Sequence, residues 1–282
     1  MLVGALATTA ACGDTVAPST LITAPRLLAV AAEPPVTTLD GGVALRALIV
    51  DRDGAPAAID VTWRACSPWR PVRDPDLDCA PAEALPLALD ADGAARLDVA
   101  TVIARWGGPA TPWPPPGPCP GPTVVVPVIA TAIVDGDRLI ARKEVGVAAA
   151  ARRSPLIAAI RLDDGPADRF VPGVAHRLAA VPDVDALDQT CTDDPAPVAV
   201  REGVKTYFYV SAGGLDATFA EVRYQPDGTA SIGSVELTPP DDVDALRLWA
   251  VMIDGDGGVA WTSRTLTARS TPRAVRRWRA WR

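Results

Sequence analysis

The sequence has a single histidine, His176, and only 5% aromatic residues. Lysine is nearly absent, and arginine supplies the positive charge. A lone histidine makes no metal site, and no Asp or Glu stands at a suggestive spacing from it, so His176 reads as an ordinary strand residue. No C-x-x-C occurs, so zinc and thioredoxin-type chemistry both lack their spacing. The serine elbow G-x-S-x-G is missing, and "SIGSVE" and "SAGGLD" are Gly/Ser turns outside a strand-to-helix setting. No stretch free of charge and proline reaches the roughly 20 apolar residues of a membrane-spanning helix. No long segment keeps a capped 3.6-residue apolar period, so helices should be few. No catalytic residue, metal ligand or cofactor motif can be named on this basis.

What remains is a chain of 282 residues, 49% hydrophobic, with 29 prolines. That length suits two domains of ordinary size. Net charge is −7, with acid spread through turns. The base gathers in "RSTPRAVRRWRAWR" (269–282), which holds six arginines and no acid. An acidic chain without an extended basic face is a poor partner for nucleic acid. Trp278 and Trp281 among those arginines have the make-up of an interfacial anionic contact, although a disordered end is the plainer reading.

At the N-terminus, "MLVGALATTAA" is apolar, small and uncharged, and Cys12-Gly13-Asp14 follows. Small residues precede the cysteine as in a secretory signal, but the basic n-region is missing. A true start upstream of Met1 would repair that. "Thr9-Ala10-Ala11-Cys12" resembles a bacterial lipobox, with Thr9 where the pattern usually has Leu, Val or Ile. The resemblance implies lipidation of Cys12 and a tether, "TVAPSTLITAP" (15–25), outside the membrane. With Cys12 lipidated, Cys66, Cys79, Cys119 and Cys191 remain, an even number suited to two disulfides in an oxidising compartment. Cys66 and Cys79 flank one short loop and would close a ring, leaving Cys119 and Cys191. Spacing alone does not choose among the three connectivities.

Apolar and β-branched runs of five to ten residues recur between turn signals. Strands are expected near 26–33, 43–50, 59–65, 85–89, 94–99, 123–134 and 138–147. A second series follows near 156–162, 174–181, 204–211, 217–224, 230–237, 244–253 and 259–268, with "AAARRSP" (149–155) as linker. The joins "DRDG" (51–54), "DADG" (90–93) and "DGD" (135–137) suit tight turns, because Asp bonds its own backbone and Gly accepts positive φ. Both halves close on a strong hairpin, "ATAIVDGDRLIARKEV" and "WAVMIDGDGGVAWTSRTL", which points to two copies of one fold. Seven short strands per half is the count of a β-sandwich. The expected fold is all-β: two tandem immunoglobulin-like β-sandwich domains after a short lipoprotein-type segment. The expected division is 1–25 signal remnant and tether, 26–150 first sandwich, 154–268 second sandwich, and 269–282 basic tail.

"PRLLAVAAEPP", "ALIVDRDGAP", "VTWRAC" and the closing "LRLWAVMIDGDGGVAWTSRTL" resemble myxobacterial-type surface lipoproteins with immunoglobulin-like β-sandwich modules. The resemblance covers most of the chain and rests on turn and core patterns. It implies export, an envelope location and a buried Trp63 on the third strand. The antibody-type inter-sheet disulfide is absent, since 43–50 holds no cysteine.

The insert "RWGGPATPWPPPGPCPGP" (105–122) is too proline-rich for a central strand and favours an extended form. Trp106 and Trp113 within it are candidate contacts for a sugar or peptide. A stiff loop whose tryptophans pack back on the sandwich is the plainer reading. The acidic turns, with "DDVD" (241–244) and "DGDGG" (254–258), offer oxygens of the kind calcium takes, yet none matches a full calcium loop. Hairpin turns that use Asp explain them more simply.

The expected function is a non-catalytic binding or structural module of the cell envelope, without cofactor or metal. Its partners would be the membrane, through the N-terminal lipid, and envelope proteins or polysaccharide. The rival is an accessory protein or hydrolase with carboxylates in the sandwich-end loops. An enzyme should show a pocket with converging, perturbed carboxylates, and a module only shallow loops.

Overall fold

The computed structural model describes residues 20–57, 59–69, 79–90, 94–107, 124–191 and 199–269. Cys12, Trp113, Cys119 and residues 270–282 lie outside them, as does the side chain of Cys191.

The first sandwich is built from β1 (Arg26–Glu33), β2 (Val36–Thr37), β3 (Gly42–Val50), β4 (Val61–Cys66), β5 (Ala84–Pro86), β6 (Ala95–Asp98), β7 (Val124–Val134) and β8 (Asp137–Val147). One sheet runs β1-β3-β6 and the other β2-β8-β7-β4-β5. Alternate residues meet between them: Ala32, Leu45 and Leu97 from one sheet pack with Val126, Val128, Val145 and Trp63 from the other. Period-two alternation of this kind puts one face of each strand in the core. Trp63 is 4% exposed, in the core as expected.

A disulfide joins Cys66 to Cys79, the pair that the ring argument singled out. The helix α1 (Val99–Trp106) was not expected. Asp98 caps it, accepting from Ala100 N at 3.1 Å and from Thr101 Oγ1 at 2.6 Å. Val99, Val102, Ile103 and Trp106 form one helical face on the core. Trp106, a candidate ligand contact, packs back on the sandwich, half-buried, as the plainer reading had it, but from a helix and not from the proline-rich loop.

The second sandwich holds β9 (Ile157–Leu162), β10 (Gly165–Pro166), β11 (Arg169–Phe170), β12 (His176–Pro182), β13 (Gln189–Cys191) and β14 (Ala199–Arg201). It continues with β15 (Val204–Val210), β16 (Gly214–Leu215), β17 (Phe219–Tyr224), β18 (Ala230–Ile232), β19 (Val235–Thr238), β20 (Ala245–Asp254) and β21 (Val259–Ala268). A five-stranded sheet, β10-β9-β12-β19-β16, faces a six-stranded one, β11-β21-β20-β15-β17-β18. Phe170, Leu178, Phe208, Leu237, Leu248 and Met252 fill the space between. The single strand expected over 230–237 is two strands in different sheets. Between them Gly233 donates to Glu221 O at 2.8 Å, where a Cβ would meet the same carbonyl at 2.8 Å. Only glycine passes that close to the backbone.

The sandwiches lie face to face across a third apolar cluster. Ile22, Ala29, Leu48 and Val50 cover Trp249, Val251 and Val259 on the outer side of the six-stranded sheet. The "DRDG" turn docks here: Gly54 O accepts from Trp249 Nε1 at 2.8 Å. Residues 20–22 run beside the end of β15, with Ile22 N donating to Val210 O at 2.8 Å. No helix of the described residues is long and apolar enough to cross a membrane.

Candidate functional site

The first sandwich leaves part of that outer face open. On it, β15 and β17 present directly opposed pairs: Tyr207 with Phe219, and Lys205 with Glu221. The Tyr207 and Phe219 rings stand 5.5 Å apart, tilted by 44°. Lys205 Nζ lies 5.4 Å from the Phe219 centroid and 3.3 Å from Glu221 Oε1. Arg223 Nε donates to Glu221 Oε2 at 2.7 Å. The Arg223 hydrogen bond, aided by Lys205, holds the Glu221 carboxyl below its usual range. Two hollows flank this row. One of about 460 Å³ is lined by Gly203, Lys205, Tyr207, Ile253 and Asp254, and the other of about 490 Å³ by Phe219, Ser231, Gly233 and Ser234. Glu221 and Arg223 line both, so the two hollows adjoin across these side chains and together make a groove.

At one end the groove reaches the seam between the sandwiches. Lys143, on β8, donates to Gly257 O in the β20–β21 turn. Lys143, Asp254 and Glu202 are each under a tenth exposed. Burial brings the Lys143 amine down to about 8, against the pull of Asp254 and Glu144. Burial raises Glu202 to about 7, helped by Asp254 and Asp256 and opposed by N–H bonds from Asp256 and Gly255. Burial likewise raises Asp254 to about 6, opposed by its bond from Gly258 N. Arg152 pairs with Asp256 at 3.2 Å beside them. The chain has two lysines: one spans the seam and the other lies in the groove.

Neither place was read from the sequence. The signal was present in "VKTYFYV", where tyrosines alternate with the core residues Thr206 and Phe208 and so must face outward. The turns weighed for calcium serve the backbone and the seam. Asp51 Oδ1 accepts from Asp53 N and Ala55 N, and Asp254 Oδ1 accepts from Gly258 N at 2.5 Å. Among the described residues no three His, Cys, Asp or Glu side chains are set to hold a metal ion. His176 does have an acidic partner in space. Its Nδ1 lies 2.6 Å from Asp163 Oδ2, and its Nε2 accepts from Val171 N at 2.9 Å. Both ring nitrogens thus tie one turn to the next.

No protein-family model matches the chain, and no curated protein matches it in sequence. Among solved structures it is similar to tandem Ig repeats of Dlar, at 10% identity and TM-score 0.26, covering 87% of this chain and 97% of that one. It is also similar to a red sea bream transglutaminase, at 12% identity and TM-score 0.28, covering 89% of this chain and 32% of the enzyme. A third is the Bacteroides ovatus mixed-linkage glucan utilization protein SGBP-B, at 12% identity and TM-score 0.22, covering 87% of this chain and 45% of that protein. The chain thus spans about a third of the transglutaminase and under half of the glucan-utilization protein.

Proposed function

We propose that this chain is a non-catalytic binding module of the cell envelope, and that the groove of its second sandwich holds a polysaccharide chain. The observation that carries this reading is the row Tyr207, Phe219, Lys205, Glu221 and Arg223 on one open sheet face. Aromatic faces stack on the C–H side of a sugar ring. A carboxylate between two cations offers acceptors and donors to vicinal hydroxyls. Lys205 and Arg223 are both paired with Glu221, which suits a neutral polymer. A groove formed of two open hollows suits a chain that passes through.

Envelope location rests on the lipobox resemblance at Cys12 and on the Cys66–Cys79 disulfide, at home in an oxidising compartment. Intact mass of protein from cell envelopes tests the anchor: added acyl mass on a chain beginning at Cys12 supports it, and an unmodified Cys12 overturns it.

The binding test is electrophoresis through gels containing neutral β-glucan, xylan or mannan, with alginate as the anionic control. Wild type should be retarded by at least one neutral polymer, and Tyr207→Ala with Phe219→Ala should migrate about tenfold less bound. Equal retardation of wild type and double variant, or none on any neutral polymer, overturns the reading.

One observation favours hydrolysis as a second reading. Asp254 lines the groove with a raised carboxyl, and Glu202 lies behind it. Both carboxylates already accept N–H bonds from the 254–258 turn, which argues for a structural task. New reducing ends, abolished in Asp254→Asn, would decide for hydrolysis.

A further inference from the structure

The seam cluster goes beyond the binding reading and does not depend on it. Lys143 leaves the first sandwich and ends on a carbonyl of the second. Two carboxylates, Glu202 and Asp254, sit behind that contact, each under a tenth exposed. The surroundings hold further charge from every element packed there. Glu144 on β8 points outward and pairs with Arg142. In the linker, Arg152 pairs with Asp256 and Arg153 with Asp188, at 3.2 and 3.8 Å. With those pairs matched, Asp254 is the buried carboxylate coupled to the buried Lys143 ammonium, and Glu202 is coupled to Asp254.

The turn that carries them is shaped around the carboxylates. A Cβ on Gly258 would lie 2.2 Å from Asp254 Oδ2 and 2.9 Å from Pro155 Cδ. One on Gly255 would lie 2.8 Å from Glu202 Oε1. Glycines here let the turn close over both acids while its Gly257 carbonyl takes the lysine. Charge on the acids therefore bears directly on the contact that joins the sandwiches.

We infer that Glu202, Asp254 and Lys143 form an acid-tightened latch between the two sandwiches, closed by proton uptake at the two carboxyls. The direction follows from linkage. Glu202 and Asp254 hold their protons in the closed seam up to about 7 and about 6, whereas in water they release them near 4.5 and 3.8. Between those limits the closed form binds more protons than the open one, so falling pH favours closure. Lys143, held down at about 8, takes no extra proton in that window.

The two lysines supply the test. Full-length protein is labelled with an amine-acylating reagent, and Lys143 is compared with Lys205 by peptide mass spectrometry. Lys205, on β15 and half exposed, is the internal reference, so a change in the ratio reports access to Lys143 at the seam. The Lys143:Lys205 labelling ratio should rise about tenfold or more from about pH 5.5 to about pH 7 in wild type. In Glu202→Gln the rise should shrink to a few-fold, and in Asp254→Asn it should be several-fold smaller than in wild type. A flat ratio in wild type overturns the latch, as does an undiminished rise in both variants. Should one variant fail to fold, the other still decides.

Discussion

The indole Nε1 of Trp249 donates to the carbonyl oxygen of Gly54 at 2.8 Å, from one sandwich to the other. Trp249 is 3% exposed, so this bond forms away from water and its loss leaves a buried carbonyl short of a donor. Arg247 Nη1, at 3.4 Å from the same oxygen, is a weaker substitute. Trp63 offers a control within the same chain. It is 4% exposed, and its Nε1 has no hydrogen-bond partner. Trp249→Phe should therefore lower unfolding stability by about 1–3 kcal/mol more than Trp63→Phe. Urea unfolding of the two variants checks this, and equal losses would show that the bond contributes nothing.

The Cys66–Cys79 bridge closes a short loop on the edge pair β4–β5. Cys66→Ser with Cys79→Ser should reduce stability by about 2–4 kcal/mol, by freeing the unfolded chain. Chemical denaturation under non-reducing conditions measures the loss.

Asp98 accepts two hydrogen bonds at the start of α1. Asp98→Ala should cost about 1 kcal/mol, and Asp98→Asn less, because the amide oxygen still caps. Thermal unfolding distinguishes the pair.

Lys143 predicts an alkaline arm. Its amine sits near 8 in the folded chain against 10.5 when free. The unfolded chain thus binds more protons between those values, and stability should rise as pH climbs through them. That gain is absent below about 8, where the folded chain must also charge the buried amine. Lys143→Met should abolish the arm, which melting curves between about pH 8 and about pH 10 would reveal.

Much of the fold was legible because sandwich strands alternate. The runs at 95–98, 176–182 and 204–210 show their buried sides at every second residue, and Asp-Gly pairs mark the hairpins. Alternation fails where a strand is covered on both faces. Trp249 and Val251 face the first sandwich while Leu248 and Ala250 face the core, so β20 reads as one apolar run. The helix α1 was hidden for a related reason. Its four apolar residues follow a strand directly and span two turns, too short for a periodic signal. The groove was illegible because it is made by cross-strand register. Tyr207 and Phe219 are distant in sequence and become neighbours only when β15 and β17 pair. The seam needed both halves, since nothing near Lys143 in sequence announces Glu202 or Asp254.

The central claim is that the open sheet face is the binding surface. Its most direct measurement is hydrogen exchange with and without the neutral polysaccharide that retards the protein most. Protection confined to 204–210, 219–224 and the adjoining 230–234 is the predicted result. Protection at the sandwich-end turns instead, or across the first sandwich, would contradict it.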